Sequence, residues 1–131
     1  AGKQVYLLRN ESKRGLGFFE ANNFYPDFIL WILDGEKQYI TFIDPKGIRN
    51  LKGLEDDKIQ LFKYLQTEVA SQLGNAHLML NSFIISNTPM EQVEFWLKNP
   101  FEKGEFQKNH VLFKDDKGYL DTMVNMILQY I

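Results

Sequence analysis

The chain has 131 residues, of which 44% are hydrophobic and 24% charged, so it is long enough to bury a core as one globular domain. It contains no cysteine, which excludes disulfides, thiolate zinc sites and cysteine nucleophiles and fits an intracellular protein. A net charge of −2 argues mildly against a dedicated nucleic-acid binder, but it leaves room for a local basic groove. No apolar run approaches the roughly 20 residues that span a bilayer, so we expect no membrane partner.

The two ends of the chain suggest a piece of a longer protein. The sequence opens on Ala-Gly-Lys without an initiator Met, and it ends inside the apolar pattern NMILQYI. It contains no internal repeat, no low-complexity tract and no convincing linker. We therefore expect one domain over residues 1–131, cut from a longer polypeptide.

The first half of the chain is rich in strand patterns. Val5 to Arg9 predicts a short strand, and Phe18-Phe19 begins a second one after a glycine-punctuated loop. The apolar run 28–33 is typical of a strand covered on both faces. Asp34-Gly35 is a turn signal, and the β-rich run 39–43 completes a hairpin.

The second half alternates helices with strands. Apolar residues recur at three- and four-residue steps from Ile59 to Leu73, which predicts an amphipathic helix that stops at Gly74. A buried strand is expected at 83–86. Thr88-Pro89-Met90-Glu91 resembles a capping box that opens a helix through Lys98. A weak strand at 111–113 and a helix at 120–131 follow, so the order predicts an α/β fold with a mixed central sheet flanked by helices.

Charged residues at the open end of the hairpin are its most informative feature. If Leu33 pairs with Gln38 in an antiparallel hairpin, the residue numbers of every pair sum to 71. Asp27 and Asp44 also sum to 71, so they lie directly opposite each other. Strand alternation puts Lys46 on the same face as Asp44. Charges on a buried strand are costly unless they are compensated.

Two opposed carboxylates repel each other, and a divalent cation between them removes that repulsion. Hard oxygen ligands of this kind suit Mg²⁺ or Mn²⁺. Such a metal activates a water and braces a phosphoryl oxygen, while an adjacent lysine stabilises developing negative charge. We therefore interpret Asp27 and Asp44 as metal ligands and Lys46 as a catalytic partner suited to phosphodiester hydrolysis. The alternative is a structural cluster of salt bridges at a strand end.

These residues resemble the bipartite motif of the PD-(D/E)XK nuclease superfamily. Pro26-Asp27 corresponds to the Pro-Asp that opens a core strand, and Asp44-Pro45-Lys46 to the acid-x-lysine that closes its neighbour. Gln60-Leu61-Phe62-Lys63-Tyr64 is similar to the Gln-hydrophobic-x-x-Tyr pattern of the RecB-like branch. The resemblance implies a restriction-endonuclease-like core and a Mg²⁺-dependent (or Mn²⁺-dependent) deoxyribonuclease in which Gln60 and Tyr64 support the metal site.

The stretch from Gly15 to Ile48 also resembles nuclease-type domains at the C-terminus of DEAD/DEAH helicases and of type III restriction-like subunits in prokaryotic defence systems. That likeness covers about residues 5 to 65 well. It implies DNA and a helicase or ATPase region of the parent polypeptide as partners, and a prokaryotic cytoplasm as the location.

Three further residues have expected roles that are less specific. Many members of the superfamily carry an extra acid on a helix before the first strand, and Glu20 is the best candidate here, although no clear helix precedes Asp27. Glu20 is equally well explained as a solvated or capping acid. Arg49 and Lys52 follow the hairpin closely and would contact DNA phosphates, or they lie in an ordinary solvated loop.

Two alternatives to a nuclease stay open from the sequence. The domain would instead be a nuclease-like fold without catalysis that serves as a nucleic-acid-binding or docking module. In the third interpretation it is an interaction domain whose last helix, 120–131, packs on a neighbour. His77 and His110 follow no ligand pattern, and we interpret both as structural or surface residues.

Overall fold

A computed structural model describes residues 3–10, 25–46, 51 and 53–129 of the chain. The strand that we predicted at Phe18-Phe19 lies outside these residues. Among the helices of the described ranges, none has the length and apolar character needed to cross a membrane.

The centre of the fold is a five-stranded mixed sheet in the order β1-β2-β3-β4-β5. The first three strands form an antiparallel meander, and β4 and β5 add to it in parallel with β3. Helices occupy both parallel connections, as a parallel crossover requires. The mixed α/β sheet predicted from the sequence is therefore confirmed. The strands are β1 (Lys3–Arg9), β2 (Phe28–Asp34), β3 (Lys37–Lys46), β4 (Leu78–Ser86) and β5 (Val111–Phe113).

Residues 61–73 form one helical run between β3 and β4. It consists of α1 (Leu61–Tyr64), a wider π-type turn (Leu65–Val69) and α2 (Ala70–Leu73). Gly74 ends the run in the left-handed conformation, with φ of 61°, as its position predicted. Ile59 was expected inside the helix, but it lies in a turn in which the carbonyl of Asp56 accepts the N–H groups of Ile59 and Gln60.

The predicted helix from Thr88 to Lys98 is broken in two. The structure has a 3-10 turn (Met90–Gln92) followed by α3 (Glu94–Lys98), and neither has a side-chain cap. The capping box fails because the Ser86 hydroxyl binds both backbone groups of Thr88, donating to its carbonyl (2.7 Å) and accepting from its N–H (3.1 Å). Thr88 is thereby tied to the end of β4 instead of opening a helix.

Two more helices complete the described part of the chain. A short helix α4 (Lys103–Lys108) was not predicted, because it buries only Phe106 and has no amphipathic repeat. The last helix, α5 (Tyr119–Leu128), begins one residue before the predicted start and ends at Leu128, and the last two residues of the predicted helix lie outside the described ranges.

Apolar side chains cover both faces of the sheet. On the first face, Ile29 and Phe42 pack with Leu61 and Leu65 of the helical run and with Phe106 of α4. Side chains alternate along a strand, so the intervening residues point to the second face, where they pack against α5. The second cluster contains Leu30, Ile32, Tyr39, Ile43, Phe83, Ile85, Leu112, Met123 and Ile127.

His110 lies beside β4, at the position just before β5 begins. Its ring lies between Phe62, with centroids 3.7 Å apart, and Phe83, at 4.5 Å, and all three rings are nearly parallel. Its Nδ1 is 3.0 Å from the Ser82 carbonyl, and its own carbonyl accepts the Ile84 N–H. Burial lowers the pKa of His110 from 6.5 to about 4, so the ring is neutral at pH 7. The structural role predicted for His110 fits this packing.

Acid should destabilise the fold through His110. The unfolded chain takes up a proton near pH 6.5 and the folded chain only near pH 4, so the stabilisation present above pH 6.5 is lost as the pH falls toward 4. We expect a loss of roughly 1–3 kcal/mol in the free energy of unfolding. The measurement is urea unfolding at pH values between 7 and 4.

Two variants isolate this effect. His110→Asn keeps a residue type that tolerates the left-handed backbone at position 110, where φ is 61°, and it should flatten the pH dependence. His77→Asn changes an exposed histidine and should leave the pH dependence as in the wild type. An unaltered pH dependence in His110→Asn would show that His110 is not the responsible group.

Candidate metal site at the end of the hairpin

The β2–β3 hairpin has the register predicted from the sequence. Leu33 pairs with Gln38, and the ladder runs without a slip to Phe28 opposite Ile43. The loop is tighter than expected, because Asp34 and Lys37 also pair and only Gly35 and Glu36 form the turn. Continuing the ladder by one position places Asp27 opposite Asp44.

The Pro26-Asp27 dipeptide is fixed to the neighbouring edge strand. The Asn10 side-chain amide donates to the Pro26 carbonyl at 2.9 Å, and the Asn10 N–H donates to the Asp27 carbonyl at 2.7 Å. Pro26 is buried and Asp27 is half-buried. Asn10 therefore holds the start of β2 in position from the end of β1.

Asp44 is the buried member of the carboxylate pair, with 6% of its surface exposed. The Asp27 N–H donates to its Oδ1 at 3.1 Å, and the Lys46 Nζ lies 2.7 Å from its Oδ2. Lys46 is more exposed than Asp44, because it lies at the last position of β3. The three predicted residues Asp27, Asp44 and Lys46 are thus brought together at one end of the sheet.

Opposing effects act on the pKa of Asp44, and the balance raises it. Burial is the largest cause, because it disfavours the charged form. The hydrogen bond and the charge of Lys46 oppose burial, and the charge of Asp27 adds to it. The Asp27 N–H lowers the pKa slightly. An additional positive charge beside Asp44 would therefore stabilise its ionised form.

The neighbouring strand ends close the cluster on its other side. Lys46 pairs with Ser86 across the parallel β3–β4 ladder, and its carbonyl accepts the Asn87 N–H at 2.9 Å. The Ser86 carbonyl accepts the Lys114 N–H at 3.0 Å. The carboxyl ends of three strands are thereby fixed around the charged cluster.

Gln60 and Tyr64 belong to the helical layer that covers the same face of the sheet as Asp44. The Gln60 amide donates to the Leu54 carbonyl (2.6 Å) and to Asn109 Oδ1 (2.8 Å). Tyr64 packs against the apolar cluster of that face. Gln60 precedes α1 at its N-cap position, so it links the turn before the helix to the turn before β5.

The donor set of the described residues suits a metal with few protein ligands. Asp27 and Asp44 supply hard oxygen atoms from adjacent strands, and Mg²⁺ is commonly bound by one or two carboxylates with water in its other positions. Within the described ranges, no group of three or more Asp, Glu, His or Cys side chains is placed to hold a metal ion. Glu20, Arg49 and Lys52 lie outside the described residues.

Sequence reasoning missed two residues that shape this site. Asn10 anchors Pro26 and Asp27, and Ser86 anchors the chain beside Lys46. Asn10 directly follows the strand predicted at Val5 to Arg9, which is the only signal the sequence offered. The sequence gives no signal for Ser86, because serine is common at the end of a strand.

The fold and the cluster define the chain as an α/β protein with a buried carboxylate, a second acid and a lysine at one sheet end. In comparisons with known proteins, no family model, curated protein or solved structure matches the chain.

Removal of the Lys46 charge should raise the pKa of Asp44 further. Lys46→Met deletes both the hydrogen bond and the charge that oppose burial, so Asp44 should take up its proton at a higher pH than in the wild type. Lys37→Met removes an exposed lysine at the other end of the same strand and should leave Asp44 unchanged. NMR titration of the Asp44 carboxyl carbon in EDTA measures both. A pKa that stays the same or falls in Lys46→Met would contradict this account.

Proposed function

We propose that this domain is a metal-dependent deoxyribonuclease of the PD-(D/E)XK type with a restriction-endonuclease-like core. The observation that carries the proposal is the joint position of Asp27, Asp44 and Lys46. The hairpin register sets the two acids opposite each other, and Lys46 Nζ lies 2.7 Å from Asp44. A purely structural ion pair between Asp44 and Lys46 would not require a second acid directly opposite Asp44 on the neighbouring strand.

The order of elements supports the same proposal. In the motif, Pro-Asp opens a core strand, and Pro26-Asp27 directly precedes β2. The acid-x-lysine of the motif lies at the end of the neighbouring strand, and Lys46 is the last residue of β3. A helical run follows at 61–73 and packs on the sheet face that carries Asp44.

The roles of the residues follow from their surroundings. Asp27 and Asp44 would hold Mg²⁺ or Mn²⁺, whose positive charge offsets the repulsion of the two acids and the cost of burying Asp44. When bound, the metal supplies Lewis acidity to a phosphoryl oxygen and lowers the pKa of a water. Lys46 places a positive charge beside the position of the phosphate, where it favours the more negative transition state. Glu20 would complete the ligand set, and Gln60 and Tyr64 would support the site.

We also propose that DNA affinity comes largely from outside this domain. A net charge of −2 gives little general attraction to phosphates. Arg49 and Lys52 would add local contacts, and a helicase or ATPase region of a parent protein in a prokaryotic cytoplasm would load the substrate.

A docking module without catalysis is the second candidate, and one observation favours it. Both oxygens of Asp44 already have protein partners, the Asp27 N–H and Lys46. A cluster satisfied in this way is stable without a metal. In that case DNA binding would survive the loss of Asp44.

The direct test is cleavage of supercoiled and single-stranded DNA in Mg²⁺ or Mn²⁺. We expect the wild type to cut and Asp44→Asn to lose on the order of 100-fold or more in rate, because the variant removes a ligand charge at the reacting phosphate. Asp34→Asn is the matched control. It removes a half-buried acid that lies near Lys3 at the far end of the hairpin, and it should cut like the wild type.

Thermal unfolding of both variants distinguishes loss of chemistry from loss of fold. Equal cutting by the wild type and Asp44→Asn would remove the support for this site. If neither chain cuts while both bind DNA equally, the docking module is the better description.

A further inference from the structure

The outer edge of β1 carries an apolar surface that the described part of the chain does not cover. All seven residues of β1 are exposed, including four consecutive large apolar ones, among which Val5 is 60% and Leu7 is 61% exposed. Native edge strands are usually short or protected by charges, prolines or bulges. An exposed apolar edge of this length marks an interaction site.

The backbone of β1 shows which atoms are available. The Asn10 N–H donates to the Asp27 carbonyl, so even-numbered positions of β1 turn their backbone groups toward β2. Antiparallel ladders alternate, and the odd-numbered positions therefore direct N–H and C=O outward. These are Lys3, Val5, Leu7 and Arg9.

The same four residues share one face of the sheet, because their side chains alternate with those of the even positions. Val5, Leu7 and Arg9 lie opposite Ile32, Leu30 and Phe28 of β2, which belong to, or pack against, the apolar cluster under α5. Lys3 lies opposite Asp34, and its Nζ is 3.9 Å from the Asp34 carboxylate. Along the outward edge of β1, on the sheet face that α5 covers, a cation is followed by two apolar residues and a second cation.

A cavity of about 440 Å³ opens beside this edge, between the sheet and α5. Leu7 and Leu120 flank it, and Leu120 is itself 55% exposed. Leu30, Ile43 and Ile85 form its floor. A large apolar side chain opposite Leu7 on an added strand would face this opening.

We propose that β1 docks an extended segment of a partner protein as a sixth strand, with the pattern acidic-x-apolar-x-apolar-x-acidic. In antiparallel pairing, the two apolar residues lie opposite Leu7 and Val5, and the two acids lie opposite Arg9 and Lys3. Main-chain hydrogen bonds give such strand addition its affinity, and alternate side chains give its specificity.

Charge is what selects this occupant over a second copy of the chain. An antiparallel pair of two β1 edges that overlaps all seven residues sets Lys3 of each copy against Arg9 of the other. Like charges directly opposite each other on paired strands are destabilising, and opposite charges are stabilising. Asp34 offsets part of the charge of Lys3, so Arg9 contributes most of this preference. The edge therefore complements an acidic partner strand better than it complements itself.

The test uses the full chain and fluorescein-labelled peptides in anisotropy titrations. The probe is Glu-Thr-Phe-Thr-Val-Thr-Glu, and its match is the same peptide with lysine at both ends. We expect the acidic peptide to bind at least about tenfold more tightly. Leu7→Ser should weaken its binding by about tenfold or more, whereas Leu8→Ser, which changes an exposed leucine on the opposite face of β1, should have a much smaller effect.

N-methylation separates strand addition from general stickiness. Methyl groups on the phenylalanine and valine nitrogens remove the two central donors that face β1, and they should abolish binding. Methyl groups on the threonine nitrogens face away and should be tolerated. Equal loss with both patterns, equal binding of the lysine peptide, or no binding of the acidic peptide at millimolar concentration would each overturn the proposal.

Two other outcomes identify a different occupant and also overturn it. A dimer in sedimentation equilibrium that Leu7→Ser dissociates would assign the edge to a second copy. Binding of 1-anilinonaphthalene-8-sulfonate, lost in Leu7→Ser, without binding of the acidic peptide would assign the cavity to small apolar anions.

Discussion

The register of the β2–β3 hairpin is the constraint on which both faces of this sheet depend. Side chains alternate along a strand, so a slip of one residue would exchange every buried position of β2 with its neighbour. Ile29 and Phe42 would leave the first core, and Asp27 would no longer lie level with Asp44. The two-residue turn at Gly35 and Glu36 prevents the slip, because Gly35 accepts the left-handed backbone that the turn requires. The candidate site is therefore a consequence of the same pairing that builds the core.

The burial of Asp44 shows how this end of the sheet tolerates charge. An isolated carboxylate among apolar strands would be costly, but here each oxygen has one partner from an adjacent segment. The pKa of Asp44 stays raised nonetheless, since burial and the charge of Asp27 act in the same direction. A cluster with more negative than positive charge favours a further cation, and this preference is the physical basis of the proposed metal site.

Prediction from the sequence succeeded where local patterns dominate. The alternating and apolar runs determine the hairpin, and the sum of paired positions followed from one assumption about Leu33 and Gln38, which the ladder confirms. It failed where a tertiary contact outweighs a local signal. Thr88 has the residue types of a capping box but is bound by the Ser86 hydroxyl. The hydrogen bond from the Gln60 amide to Asn109 was also not predicted, because the two residues are 49 positions apart and no periodicity connects them.

The alternation of side chains along β3 separates the two candidate surfaces. Asp44 and Lys46 point to the face covered by the helical run 61–73, whereas Ile43 and Pro45, which alternate with them, line the cavity under α5. The charged cluster and the apolar cavity therefore share a backbone but no side chain. A partner strand bound at β1 would restrict β1 at the end where Asn10 holds Pro26 and Asp27. Docking at the edge would then bear on the charged cluster through the position of Asp27, without contact with Asp44 itself.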